Sequence, residues 1–207
     1  MTRFALALGL VLSGLAGPAL AHHPMGGTTP ETLMHGLLSG LGHPVIGIDH
    51  FAFVVAVGIA AVLAGARFAA PLSFVGGTVA GCLLLASGVA LPFAELAIGV
   101  SVLALGAALA LGRMPKKGVL LALFALAGLF HGGAYGAAIV GAEATPLVAY
   151  LVGFAAVQTA IAVAAGWLAV DLGARAAQTL RPRLAGAAVA GIGLTVLVET
   201  VEAMVFV

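Results

Sequence analysis

Ile48-Asp49-His50-Phe51-Ala52-Phe53-Val54-Val55-Ala56-Val57-Gly58-Ile59-Ala60-Ala61-Val62-Leu63-Ala64-Gly65-Ala66, residues 48–66, decides the class of fold. After one carboxylate and one imidazole, no polar side chain follows until Arg67. As a helix this run is roughly 28 Å long, close to the hydrocarbon thickness of a bilayer, about 30 Å. Ionisable groups at the start of such a helix are costly to keep and usually carry function. The preceding residues extend the signal. His43-Pro44-Val45-Ile46-Gly47-Ile48-Asp49-His50 offers two imidazoles and a carboxylate, the donor types of a divalent-metal site.

The whole chain agrees with a membrane reading. It is 63% hydrophobic and 7% charged with a mean hydropathy of +1.25, too little charge for a soluble domain of 207 residues. The expected fold is all-α and polytopic, with six transmembrane helices after a cleaved signal peptide. Net charge is +1, so nothing points to nucleic acid. Cys82, the single cysteine, has no partner for an intrachain disulfide and reads as a small core residue. Residues 1–21 read as the signal peptide: Arg3, an apolar run Phe4 to Leu15, a break at Gly17-Pro18, then Ala19-Leu20-Ala21. Residues 22–47 form an outer segment, and 48–207 the transmembrane domain.

The expected spans are 48–66, 71–91, 93–112, 118–140, 146–170 and 184–207, with Pro71, Pro92, Pro115, Pro146 and Pro182 at or near helix starts. Cleavage leaves the mature N-terminus outside, in the periplasm of a bacterial inner membrane. Counting spans then puts Arg67, Arg113, Lys116, Lys117, Arg175, Arg181 and Arg183 all on the inner side, as positive-inside topology requires. Gly77/Gly81, Gly128/Gly132 and Gly132/Gly136 have the four-residue spacing that lets helices approach closely.

The same topology sorts the remaining ionisable groups. Asp49 and His50 begin span 1 at its outer end, with His43 and His35 before them. His131 falls in the outer half of span 4, four residues before Tyr135. Glu95 starts span 3, Glu143 follows span 4, and Glu199 and Glu202 share a face near the outer end of span 6. This asymmetry describes a cation-attracting vestibule. Imidazole with carboxylate suits nickel, cobalt or zinc, whereas calcium or magnesium would not need the histidines. On one straight helix His43 and His50 lie about 10 Å apart, too far to share an ion, so a common site requires a break at Pro44 and Gly47. Some positions carry two readings. Glu95 is a first-turn carboxylate or a ligand; Tyr135 is an interfacial aromatic or part of the site. Glu31 reads as a first-turn helix carboxylate, and His22-His23-Pro24-Met25 as a disordered tail or a capturing cluster.

His43-Pro44-x-x-Gly47-x-Asp49-His50, after a signal peptide and within six spans, resembles the first signature of the HupE/UreJ family of nickel or cobalt permeases linked to hydrogenase and urease maturation. Phe130-His131-Gly132-Gly133-Ala134-Tyr135-Gly136 resembles its second signature, and Ile139-Val140-Gly141-Ala142-Glu143-Ala144-Thr145-Pro146 a branch of it. The resemblance covers essentially the whole mature chain and implies metal-handling roles for His43, Asp49, His50, His131 and Glu143. The chain departs from it at three points. Tyr135 stands where many members have a second histidine, Ala137 where others have an acid, and Gly133 where an aromatic is commoner.

The expected function is a secondary permease or channel for Ni²⁺ or Co²⁺, with the ion as cargo and no prosthetic group. The bilayer is its only expected macromolecular surrounding. No nucleotide-binding motif suggests an ATPase within the chain, and the oligomeric state stays open. Two alternatives differ in class. An intramembrane zinc hydrolase would use the same donors to activate water, although H-E-x-x-H and a convincing nucleophile are absent. A metal-binding membrane protein without flux is the other.

Overall fold

The computed structural model describes residues 28–174 and 176–206, so the expected signal peptide, His22 and His23 lie outside the described residues. Among the described residues seven α-helices follow one another: α1 Leu33–Ile46, α2 Ile48–Leu63, α3 Ala69–Ala86, α4 Ala94–Ala110, α5 Lys117–Gly136, α6 Ala144–Asp171 and α7 Leu180–Phe206. A 3₁₀ turn, Ala137–Ile139, extends α5. No strand occurs among the described residues. Pro71, Pro146 and Pro182 are each the third residue of their helix, where a missing N–H costs nothing.

Six of the helices coincide with the six apolar segments read from the sequence. Four of them (α3, α5 with its 3₁₀ turn, α6 and α7) are each long and apolar enough to cross a membrane. α4, at 17 residues, is shorter. α2 is 16 residues and forms a bent pair with α1, the two axes meeting at 81° across a one-residue break. α1 itself starts at the N-cap Thr32, whose hydroxyl accepts from the His35 amide at 3.1 Å. Glu31 therefore stands just ahead of the cap and not in the first turn, a correction to its sequence reading.

Close backbone approaches at glycines give the packing register. Gly36 meets Pro146 and Gly40 meets Tyr150, so α1 runs alongside α6 in the same direction. Gly58 meets Ala162 and Gly166 meets Val62, so α2 continues along α6, again in the same direction. One 28-residue helix thus carries the two halves of the bent pair in succession. α3 and α5 are likewise parallel, with Gly77 against Ala125, Gly81 against Leu129 and Gly132 against Thr78. α4 and α7 are antiparallel: Gly99 meets Leu197, Gly106 meets Ala190 and Gly186 meets Ala110. These directions fit an up-and-down bundle. At the end opposite the candidate site, the Arg183 Nε–H donates to the Ala110 carbonyl at 2.8 Å, joining the finish of α4 to the start of α7. The described lysines and arginines all lie in or beside the connections at that end.

The register also moves the expected site. The sequence puts His50 at the outer end of a span. In the structure α1 precedes it along α6, and His50 stands level with about Phe154, roughly ten residues or 15 Å from the α6 start. The break at Gly47 is therefore near the middle of α6.

Candidate functional site

Gly47 ends α1 and caps α2 in an extended conformation, φ −79° and ψ 112°. A Cβ there would lie 2.9 Å from His50 Cδ2 and 3.2 Å from Asp49 Oδ1, so glycine lets the Asp49 and His50 side chains fold back over the break. Pro44, the other expected breaker, stays inside the last turn of α1. The break brings His43, Asp49 and His50 into the wall of one cavity of about 690 Å³. Its other polar lining comes from Glu95 at the start of α4 and from Glu199 and Thr200 near the end of α7. Ala134 and Ala137 close it on the α5 side.

Asp49 sits in the first turn of α2 and is buried, 7% exposed, with its Oδ1 lacking any hydrogen-bond partner. Its Oδ2 is 4.0 Å from His50 Nδ1. A buried carboxylate oxygen with no donor costs free energy unless something else supplies positive charge. The α2 N-terminus supplies part of it; a cation in the cavity would supply the rest.

Behind the wall lies a second layer. His50 Nδ1 and His131 Nδ1 are 2.9 Å apart, and His131 Nε2 is 2.9 Å from Ser101 Oγ on α4. His43 Nδ1 is 2.8 Å from Tyr150 Oη on α6. The Tyr135 ring touches both cavity histidines, at 5.1 Å from His43 and 4.4 Å from His50 between centroids. Tyr135 and His131 are fully buried. Tyr135 is therefore packed behind the two cavity histidines and is not exposed at an interface.

Farther in, Gln158 and Thr78 are also fully buried. Thr78 Oγ1 is 2.8 Å from the Val75 carbonyl and 3.0 Å from the Gln158 amide, but its single proton can serve only one acceptor. If it serves Val75 and the Gln158 amide is turned end for end, its nitrogen donates to Thr78 and its oxygen faces the Tyr135 hydroxyl. That arrangement gives Gln158 Nε2 a partner and turns an acceptor toward Tyr135 Oη, two of the atoms otherwise left without partners.

The remaining sequence candidates disperse. Glu143 is the exposed N-cap of α6 with no side-chain capping bond and does not line the cavity. Glu202 is exposed one turn beyond Glu199, and His35 is half-buried near the start of α1, also away from the cavity. Glu95 stands in the first turn of α4, the first of its readings, and also lines the cavity. Among the described residues no three His, Cys, Asp or Glu side chains converge tightly enough to hold a metal ion as they stand. Ser101, Tyr150, Thr78 and Gln158 were not anticipated. Of these only Gln158 carried a signal, as the one amide inside the apolar segment 146–170.

Residues 10–196 match the family model described as HupE / UreJ protein. The chain is also 33% identical over 191 residues to Protein HupE of Rhizobium leguminosarum bv. viciae, an alignment covering 90% of this chain and 95% of that protein. No solved structure matches it.

Proposed function

Because the chain belongs to the HupE/UreJ family, we propose that it is a permease admitting Ni²⁺ or Co²⁺ from the periplasm to the cytoplasm across a bacterial inner membrane. The single observation that carries this reading is the cavity: His43, Asp49, His50, Glu95 and Glu199 line it together, and Asp49 Oδ1 is buried there without a partner. The topology proposed is six spans after a cleaved signal peptide, with α1 and α2 counted as one broken span. A discontinuous helix whose break presents donors near mid-depth is a recurrent construction in secondary transporters.

In this reading Glu95 and Glu199 attract the hydrated ion. His43, Asp49 and His50 replace part of its water, and Tyr135 with the Gln158–Thr78 pair closes the floor. An inside-negative potential of about 100 mV favours entry of a dication by about 4.6 kcal/mol, so no nucleotide-driven step is required. Radioactive nickel uptake in a strain lacking its own importers tests the proposal. Asp49→Ala and His50→Ala should abolish uptake while the protein still reaches the membrane. Undiminished uptake of both nickel and cobalt in those variants would remove the site.

A further inference from the structure

We propose that Tyr150 and the Ser101–His131 pair are positioning residues that hold His43 and His50 in the Nδ1–H tautomer, with the lone pair of each imidazole on Nε2. The inference rests on reading the cavity as a metal site and concerns which atoms of that site do the binding.

Each hydrogen-bond chain ends on a backbone carbonyl, which can only accept, and this fixes its direction. Tyr150 Oη is 2.9 Å from the Tyr135 carbonyl oxygen. Two oxygens at that separation need a proton between them, and only the phenol has one. With its proton spent, Tyr150 must accept from His43 across their 2.8 Å contact, so His43 carries its proton on Nδ1. The second chain has the same logic. Ser101 Oγ is 2.7 Å from the Ile98 carbonyl, which takes the hydroxyl proton. Ser101 then accepts from His131 Nε2–H, His131 Nδ1 is left with a lone pair, and His50 donates to it from Nδ1. Asp49 Oδ2, 4.0 Å from His50 Nδ1, favours a proton there as well.

Both cavity histidines therefore reach the same protonation pattern, His43 through Tyr150 of α6 and the Tyr135 carbonyl of α5, His50 through His131 of α5 and Ser101 of α4. His131 engages both of its nitrogens and acts through His50 instead of ligating. Outer hydrogen bonds of this kind fix the ring orientation and tautomer of metal-ligating histidines.

The test uses the full chain, ¹⁵N-labelled at histidine, in lipid nanodiscs, with long-range ¹⁵N–¹H correlation spectra at a pH where the imidazoles are neutral. The expected wild-type pattern is a protonated Nδ1 and a lone-pair Nε2 for His43 and His50, with Zn²⁺ as a diamagnetic probe shifting the Nε2 signals. Tyr150→Phe should give His43 a mixture of tautomers, and Ser101→Ala should do so for His50. Each should weaken Ni²⁺ binding by about tenfold, the low end for loss of such a partner, and Ser101→Thr should restore it. An Nε2–H pattern for either histidine in the wild-type chain overturns the proposal, and that reading needs no variant to fold. So does a pattern unchanged in both Tyr150→Phe and Ser101→Ala. The tautomers seen in a wild-type chain that binds no Ni²⁺ would support the hydrogen-bond assignment and sink the transport reading separately.

Discussion

Replacing one glycine of the adjacent pair Gly132-Gly133 should unseat the site, and replacing the other should not. A Cβ on Gly132 would lie 2.7 Å from both Thr78 C and Thr78 Cα, and nearer still to the Thr78 oxygen. Ordinary carbon contacts begin near 3.5 Å, so α3 and α5 would have to part by about 1 Å. The obstruction is backbone on both sides, and no rotamer change relieves it. Overpacking of this kind costs about 1–3 kcal/mol, and the rigidity here puts Gly132→Ala at about 3 kcal/mol. For a chain of this length that is a fall in Tm of about 6–12 °C. The shift is also delivered to His131, the next residue, and through its 2.9 Å contact to His50. A displacement of about 1 Å at a binding constellation can cost on the order of 100-fold. A Cβ on Gly133 meets only Leu91 Cδ1 at 3.7 Å, so Gly133→Ala should leave both stability and uptake near wild type. Thermal unfolding followed by size-exclusion fluorescence, together with nickel uptake at matched expression, measures both effects. The interface register is wrong if Gly133→Ala proves as damaging as Gly132→Ala.

Three further outcomes follow from the cavity. Asp49→Asn should lower metal affinity by at least tenfold while raising thermal stability slightly, because it removes a buried charge whose Oδ1 has no partner; calorimetric titration and a melting curve on the same sample separate the two. Glu199→Gln should reduce uptake several-fold and Glu202→Gln should not, since only Glu199 lines the cavity; equal effects would relocate the vestibule. Gly47→Ala puts a Cβ 2.9 Å from His50 Cδ2, so it should weaken Ni²⁺ binding by about tenfold or more with little change in helix content by circular dichroism.

The helices were legible because length, hydropathy and proline position report directly on a bilayer-spanning segment. The need for a break between His43 and His50 was legible too, since helix rise alone separates them. Its depth was not. Residues 33–46 contain His35, Ser39, His43 and Pro44, which lower their apolar character, so nothing in the run suggests that α1 packs lengthwise against α6. That packing depends on Gly36 and Gly40 finding the backbone of Pro146 and Tyr150, more than a hundred residues away. The site divided in the same manner. Asp49, His50 and His43 announce themselves as costly groups in an apolar setting. Ser101 and Tyr150 do not, because a serine bonding back to its own helix and a tyrosine near a helix start are ordinary. Their role exists only in the chains Tyr150–His43 and Ser101–His131–His50, which join residues between 30 and 107 positions apart.

If the cavity passes a dication as proposed, the placement of its acids bears on release as much as on capture. Asp49 and Glu95 each stand in the first turn of a helix, α2 and α4, where the amide dipoles already offset part of their charge. Only Glu199, near the finish of α7, lacks that compensation. Three full carboxylates around a dication would hold it too tightly for passage, since conduction needs sites that bind well enough to fill and weakly enough to empty. Helix N-termini temper two of the three, and neutral histidines contribute affinity without adding charge. Under the proposed transport the cavity would be graded: the exposed Glu199 carboxylate would draw ions in, and the compensated Asp49 at the α1–α2 break would hold them at lower net attraction. Such a grade would tune how readily the ion leaves, while the direction of net movement would come from the membrane potential.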